Sequence, residues 1–454
     1  MDIEKKLSSI TKNVYTNTEI RIGYSYDASG VEFRPDFVVF AEDTNEVIEI
    51  SKLVKEFKIP LYPRGAGSGF VGGAVPKNSG IVLSLEKMNK ILEVDKKNKI
   101  VISEAGVITG ILRKNLLKEN LFYPPEPSSL DFCTIGGNVN TDAGGLRTVK
   151  YGTTRRYVAG LEVVFPGGIK EILGGKFSKE TAGYSIKDLI IGSEGTLGIV
   201  TKIYLKLLIP PEKKIVAQVY FKSIGDSINF VNGLLLKTDN ITACEYIGPE
   251  IVNLLINDKM IESQARDSSL LLIEVDGGQN EVERGKRLIE EELQGFDVIN
   301  YTTGTEEDEI ERIWIARKSV SPILFKLKPT KINEDVCLPR SELKNYINDV
   351  QEYAKNKEVL LCIFGHIADG NLHLNIMTDK NNLTEFARAK ELVNYIFEKA
   401  IFLKGTLSGE HGIGLLKSGF MKKRYSDNML EYFKSIKQVF DPDLIMNPGK
   451  IFYG

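Results

Sequence analysis

The sequence predicts an α+β protein of two or three domains, and three observations carry that reading. The chain has 454 residues, more than one hydrophobic core ordinarily organises. Between about Pro210 and Lys331 strand-like and helix-like runs alternate. Ile215–Tyr220 and Leu270–Val275 read as strands, Ser227–Leu236 and Glu281–Leu293 as helices. Strand, helix, strand, given twice, predicts helices on one face of an antiparallel sheet. Glycine is concentrated elsewhere, from Arg64 to Val200 and from Phe364 to Gly414. Two prolines in Ile209-Pro-Pro-Glu212 stop both helix and strand ladder, so a domain boundary falls there. The expected division is 1–210, 211–420 and a tail 421–454, helical to Phe440 and then Asp-Pro-Asp-Leu-Ile-Met-Asn-Pro-Gly-Lys.

Composition narrows the class. A net charge of −2 provides no field to favour nucleic acid or an anionic membrane. No apolar run approaches the roughly eighteen residues of a membrane span. The opening Met-Asp-Ile-Glu-Lys-Lys-Leu lacks the apolar stretch of a signal peptide, and a cytoplasmic protein is expected. Cys133, Cys244, Cys337 and Cys362 are far apart, which argues against iron–sulfur or zinc-ribbon sites and fits small buried hydrophobes in a reducing compartment.

In the first glycine-rich region, Asn45 to Phe57 has the period of an amphipathic helix, and Ile59-Pro-Leu-Tyr-Pro63 that of a short strand. Then comes Arg64-Gly-Ala-Gly-Ser-Gly-Phe-Val-Gly-Gly73. Its five glycines leave backbone amides bare to close round an anion, with Arg64 adding charge. The spacing is not the Rossmann fingerprint. Pro124–Ser129 leads into Thr134-Ile-Gly-Gly-Asn-Val-Asn140 and Ala143-Gly-Gly145. Lys150-Tyr-Gly152 and Gly192-Ser-Glu-Gly-Thr-Leu-Gly-Ile-Val-Thr201 follow. Each brings backbone close to a ligand at a bend, and together they predict a long groove for an extended polar cofactor.

All three histidines fall in the second glycine-rich region. His366 and His373 sit in Gly-His-Ile-Ala-Asp-Gly-Asn-Leu-His-Leu-Asn, and His411 in Ser-Gly-Glu-His-Gly-Ile-Gly. A strand, a turn at Asp369-Gly370 and a returning strand would bring His366 and His373 together, with Asn375 on the face of His373. Glu410, between glycines, supplies a carboxylate; two imidazoles and a carboxylate make a catalytic metal site with open positions. His411 is then available as a base. Hydrogen-bonded loop histidines, or a metallohydrolase activating water, are the rival readings. In Trp314-Ile-Ala-Arg-Lys-Ser-Val-Ser321, helical spacing puts Arg317 and Ser321 on one face, and arginine can grip a carboxylate with two parallel hydrogen bonds.

These segments together resemble the FAD-binding domain of the vanillyl-alcohol oxidase/p-cresol methylhydroxylase superfamily. From about residue 30 to the end, the chain is similar to the branch containing D-lactate dehydrogenase, the glycolate oxidase FAD subunit and D-2-hydroxyglutarate dehydrogenase. The resemblance implies a two-part FAD-binding domain of the p-cresol methylhydroxylase type, an α+β cap domain with an antiparallel sheet, and a tail that returns to the FAD domain. It assigns the pyrophosphate to Arg64, Gly65, Ala66, Gly67, Ser68, Gly69 and Gly72. The adenosine and isoalloxazine portions fall to Pro127, Ser128, Thr134, Gly136, Gly137, Asn138, Asn140, Gly144, Gly145, Gly152, and to Glu194, Gly198, Ile199 and Val200 of the later stretch. Asn447 of the tail joins the cofactor set. No histidine precedes residue 366, so a histidyl–flavin bond in the nucleotide domain is impossible; counting does not exclude a tyrosyl bond, but the resembled branch holds its flavin without one, which implies noncovalent FAD.

By the same resemblance, His366, His373 and Glu410 bind one divalent ion (zinc, iron or manganese) and His411 is the base. Arg317 and Ser321 hold the substrate carboxylate, and Lys331 and Asn375 complete the substrate set; Ser321 stands where relatives have threonine. The implied reaction is oxidation of a D-2-hydroxy acid, D-lactate before D-2-hydroxyglutarate or glycolate, by hydride transfer to flavin N5. A subunit that binds flavin only to relay electrons is a further rival. Without a nicotinamide fingerprint or cysteine cluster, the electrons are expected to pass to a separate carrier such as an electron-transfer flavoprotein. A homodimer is compatible with this reading.

Overall fold

A computed structural model describes residues 2–452, and its contacts divide the chain into two compact units. The first comprises Met1–Gly144, Thr153–Pro210 and Glu410–Gly454; the second comprises Gly145–Gly152 and Pro211–Gly409.

The first unit contains two sheets. Strands β1 (Val14–Tyr15), β2 (Phe37–Phe40), β3 (Leu61–Arg64) and β4 (Ile81–Ser84) lie in the order β1-β2-β4-β3, with β4 parallel to both β2 and β3. Parallel strands joined in sequence need a crossover, and the helix Thr44–Phe57 carries the chain from β2 to β3, with β4 lying between them. Asp43 caps that helix by accepting from the Asn45 and Glu46 amides. Val47, Ile50, Leu53 and Val54 form its buried stripe, and Lys58 ends it in the left-handed region. The second sheet, β5 (Ile91–Asp95), β6 (Ile100–Glu104), β7 (Val158–Phe165), β8 (Ile169–Gly174) and β9 (Ile199–Lys206), is antiparallel in the order β5-β6-β9-β7-β8.

The tail belongs to this unit. After the helix Asp427–Phe440, Met446 bridges Leu61 in parallel, so the tail runs along the edge strand β3. Lys437 Nζ locks it there, donating to Thr196 O, Met446 O and Asp441 Oδ2 at 2.5–2.7 Å.

The second unit is built on β10 (Lys213–Phe221), β11 (Ala243–Ile247), β12 (Ser269–Gly277), β13 (Val298–Gly304), β14 (Thr330–Cys337), β15 (Leu360–His366) and β16 (Asn371–Thr378). Their order is β13-β10-β12-β11-β15-β16-β14, antiparallel throughout. Helices cover both faces of this sheet, not the one face that the alternation predicts. Leu270 and Leu272 face the helices Pro249–Asn257 and Glu307–Ile323. Val275, on the other face, lies against Gly285 of the helix Gln279–Leu293, so close that a Cβ at Gly285 would meet it at 2.6 Å. The unbroken apolar run Leu270–Ile273 carries that signature, because a strand buried on both sides does not alternate.

Two local readings also change. Ile135–Thr141 is a helix capped by the Thr134 hydroxyl, despite its glycine pair. Gly136 is needed there because a Cβ would come within 2.7 Å of Ala105. Cys337 is half-buried and its thiol donates to Asp369 O, whereas Cys133, Cys244 and Cys362 are buried. Among the described residues no helix is long and apolar enough to cross a membrane.

Candidate active-site residues

Strand register in the second unit gathers polar groups on one sheet face. Glu245 pairs with His366 across β11 and β15, Phe364 with His373 across β15 and β16, and His373 with Asp335 across β16 and β14. Residues two apart on a strand share a face. Glu245, His366, His373, Asn375, Asp335, Asn333 and Lys331 therefore share the face that carries Leu272, Ile247, Cys362 and Met377 of the apolar core. The turn Ile367–Asp369, ended by Gly370 at φ 79°, returns the chain. The His366 and His373 rings stand 5.2 Å apart and nearly perpendicular.

Glu245 organises this cluster. Its side chain is fully buried, with Oε1 2.5 Å from His366 Nδ1 and Oε2 accepting from Arg317 Nε at 2.6 Å. Burial works to raise its pKa, but the contacts with His366 and Arg317 overcome that and hold it at about 2. The Arg317 guanidinium also lies over the Phe364 ring, 4.6 Å from its centroid. One turn further along the same helix, Ser321 accepts from Lys331 Nζ at 2.5 Å. Desolvation lowers the Lys331 pKa. Asn375 donates to the carbonyls of Cys362 and His373, and its buried Oδ1 has no partner among the described residues.

With Nδ1 tied to a carboxylate, Nε2 is the nitrogen that His366 could offer a metal ion, an arrangement common to metal-bound imidazoles. Two imidazoles beside a buried amide oxygen fit a borderline divalent ion. Asp335 fixes the end of this unit: its carboxylate accepts from Asn371 Nδ2, Ser408 Oγ and the Gly409 amide at 2.6, 2.7 and 3.0 Å. A Cβ at Gly409 would meet Asn371 Nδ2 at 2.1 Å, so the loop requires glycine. Glu410 follows one peptide bond later.

The first unit contains a groove of about 1200 Å³, counting the part open to solvent. Arg64, Gly65, Ala66, Gly67, Ser68, Gly69, Pro127, Ser128, Thr134, Gly136, Gly137, Asn138, Asn140, Gly144, Glu194 and Val200 line it, and so do Glu410 and His411. A Cβ at Gly65 would meet the Thr134 hydroxyl at 2.2 Å and one at Gly67 the Arg64 guanidinium at 2.0 Å, so the loop lies directly on its supports. Arg64 is 6% exposed; its Nη1 donates to Tyr26 O, while its Nε has no acceptor among the described residues. A buried guanidinium beneath bare amides fits a pyrophosphate.

The remaining expected cofactor residues lie away from the groove lining. Gly72 packs on Leu415, Gly198 on Val163, and Ile199 is buried at the start of β9. Gly145 and Gly152 bracket a segment of the second unit, held by Arg147 to Glu274 and by Lys150 to Asp276. Asn447 donates to the carbonyls of Gly73 and Glu194 and so braces the groove wall from behind.

Glu194 anchors the loop that carries His411. Its backbone is left-handed at φ 53°, its Oε1 accepts from the Ile413 amide and its Oε2 from the Gly414 amide, both at 2.8 Å. The His411 ring lies 4.8 Å from that of Phe70.

Sequence reasoning missed Glu245, Asp335 and the anchoring role of Glu194. The signal for the first was a lone carboxylate inside the apolar strand Ala-Cys-Glu-Tyr-Ile, a residue that is buried only when paired.

Comparison with known proteins shows the family. Residues 35–172 match the FAD binding domain family and residues 210–451 the C-terminal domain of FAD linked oxidases. The chain is 37% identical to glycolate oxidase subunit GlcD of Bacillus subtilis, over 99% of this chain and 97% of the relative. It is 34% identical to a D-lactate dehydrogenase of Anaerostipes hadrus, again over 99% and 97%. The fold matches p-cresol methylhydroxylase with substrate bound at a TM-score of 0.83 and 18% identity, covering 99% of this chain and 96% of that one. The chain therefore belongs to the FAD-linked oxidase family and is an FAD-dependent oxidoreductase.

Proposed function

We propose that the chain oxidises a D-2-hydroxy acid, D-lactate before glycolate or D-2-hydroxyglutarate, and passes the electrons to a separate carrier such as an electron-transfer flavoprotein. The observation that carries this reading is the pair of cations on the second unit's site face. Glu245 fixes Arg317 beside His366, and Ser321, one turn along, fixes Lys331. Two desolvated cations beside paired imidazoles suit a small carboxylate whose neighbouring carbon bears a hydroxyl. The names of the relatives, glycolate oxidase subunit and D-lactate dehydrogenase, support that substrate class.

When bound, noncovalent FAD supplies the hydride acceptor, and a divalent ion on His366, His373 and Glu410 lowers the pKa of the substrate hydroxyl. The chain's own residues do the rest. Arg317 keeps its two terminal nitrogens for the substrate carboxylate while Nε stays on Glu245. Lys331 adds charge, Asn375 offers its buried oxygen, and the rigid grip orients the α-hydrogen. His411, held on its loop by Glu194, takes the hydroxyl proton. A hydrolytic metal site would leave the matched FAD-binding domain without a use.

The test is anaerobic flavin bleaching by a panel of D- and L-2-hydroxy acids, followed as spectra. D-Lactate should bleach the flavin faster than L-lactate, glycolate or D-2-hydroxyglutarate. A flavin that no D-2-hydroxy acid reduces would sink the proposal. His411→Asn should keep its FAD and metal yet slow reduction by roughly 10²–10⁴-fold.

A further inference from the structure

We propose that Glu245 is a positioning residue which sets the substrate-binding guanidinium and a metal-binding imidazole against each other, so that both functions depend on one carboxylate. This rests on the roles given above to Arg317 and His366. Each oxygen takes one charge-assisted bond, Oε1 with His366 Nδ1 at 2.5 Å and Oε2 with Arg317 Nε at 2.6 Å. Glu245 sits in the middle of β11 and none of it is exposed.

The atoms chosen matter. A bond at Nδ1 fixes the tautomer and ring plane of His366 and leaves Nε2 as the ligating nitrogen. A bond at Nε holds Arg317 by its stem and leaves the terminal fork for a carboxylate. Phe364 under the guanidinium, 4.6 Å to its centroid, restricts the fork's plane. The carboxylate thus engages one nitrogen of each partner, Nδ1 of His366 and Nε of Arg317.

Glu274 provides an internal control. It lies on the adjacent β12, is 1% exposed, and binds Arg147 through Nε and Nη2 at 2.7 and 3.1 Å and Trp314 Nε1 at 3.2 Å. Burial and pairing are similar, but neither partner belongs to the substrate or metal set. A merely structural carboxylate should behave like Glu274.

The experiment uses the full flavin-loaded protein, stripped of metal by a chelator, as wild type, Glu245→Gln, Glu245→Asp and Glu274→Gln. Mn²⁺ affinity is measured by calorimetric titration, and KM and kcat with the hydroxy acid that best reduces the wild type. Glu245→Gln should weaken Mn²⁺ binding about 10–100-fold and raise KM roughly tenfold or more, with flavin stoichiometry unchanged. Glu245→Asp keeps the charge but loses a methylene's reach, so it should fall between wild type and Gln in both readouts. Glu274→Gln should lose thermal stability and keep wild-type Mn²⁺ affinity and KM.

The proposal is overturned if Glu245→Gln binds Mn²⁺ and substrate as the wild type does, or if its only defect is the stability loss of Glu274→Gln. Should Glu245→Gln not fold, Glu245→Asp decides: a wild-type Mn²⁺ affinity, or failure to fold as well, overturns it. A wild type that neither binds Mn²⁺ nor is reduced by any hydroxy acid fails at the underlying reading, a pattern distinct from an active wild type with an indifferent Glu245.

Discussion

Replacing Glu194 by glutamine tests whether one buried carboxylate holds the His411 loop. Glu194 is itself immobilised: its amide donates to Asn140 O at 2.8 Å and its carbonyl accepts from Asn447 Nδ2 at 2.6 Å. The side chain then receives the Ile413 and Gly414 amides, one on each oxygen. Glutamine preserves the shape but sets an NH₂ group against one of those N–H donors. One charge-assisted bond disappears and the other loses its charge, a cost of about 2–3 kcal/mol. That energy falls on local opening of the loop, so hydrogen exchange at Ile413 and Gly414 should rise roughly 30-fold or more. Flavin reduction should slow while FAD content stays constant. The pH dependence adds a second check. Burial raises the Glu194 carboxyl above the usual carboxylate range, although the two amides pull it down. The folded state therefore holds the proton over a window above the ordinary value of 4.5. The unfolded state binds fewer protons there, so wild-type stability falls as pH rises through that window, and the variant should lack this slope. Unchanged exchange at both amides together with unchanged flavin reduction would refute the anchoring argument.

Three further outcomes follow from the same structure. Glu274→Ala removes the buried carboxylate that accepts from Arg147 and Trp314 and should destabilise the protein by about 3–5 kcal/mol in urea unfolding; a loss under about 1 kcal/mol contradicts the pairing. Lys450 is fully buried with Nζ on Val75 O, and desolvation lowers its pKa from 10.5 to about 7 despite the nearby Glu194 and Asp27 charges, with Lys77 adding repulsion. Between those values the unfolded state carries a proton that the folded state lacks, so wild-type stability should climb with pH relative to Lys450→Met by roughly 1.4 kcal/mol per unit; parallel curves for the two proteins would refute it. Acid precipitation should release FAD into the supernatant, and flavin retained on the polypeptide would disprove noncovalent binding.

What could be read in the sequence follows from the range of the interactions involved. The helix Thr44–Phe57 and the hairpin carrying His366 and His373 were legible because each is encoded locally, by a 3.6-residue period and by a turn between two apolar runs. The glycine loop at Arg64–Gly73 was legible because bare amides have few other uses. Helix coverage on the second face of the large sheet was not, since the alternation of elements is the same for one covered face or two. Glu245 was invisible as a site residue because its partners lie 72 and 121 positions away. Only register brings them together. Glu194 was expected among the cofactor residues and lines the groove, but its anchoring role was not legible, because its partners Ile413 and Gly414 are more than two hundred residues distant.

The segment with Glu410 and His411 shows how these long-range bonds divide the work. Ser408 and Gly409 belong to the second unit through Asp335, while Ile413 and Gly414 belong to the first through Glu194. Between those anchors the chain has only Glu410, His411 and Gly412. Both anchors hold the flanking backbone, and the first also the Ser408 hydroxyl. Glycines at 409 and 412 let the backbone approach both carboxylates: a Cβ would come within 2.9 Å of Asp335 Oδ1 at the first and of Glu194 Oε1 at the second. The roles proposed for Glu410 and His411, a carboxylate ligand and a base, require a fixed backbone. Two buried acids, distant in sequence and each bound to main-chain N–H groups, meet that requirement. Loss of either acid is therefore expected to disturb Glu410 and His411 together, whereas substitution of His411 alone should leave the backbone in place.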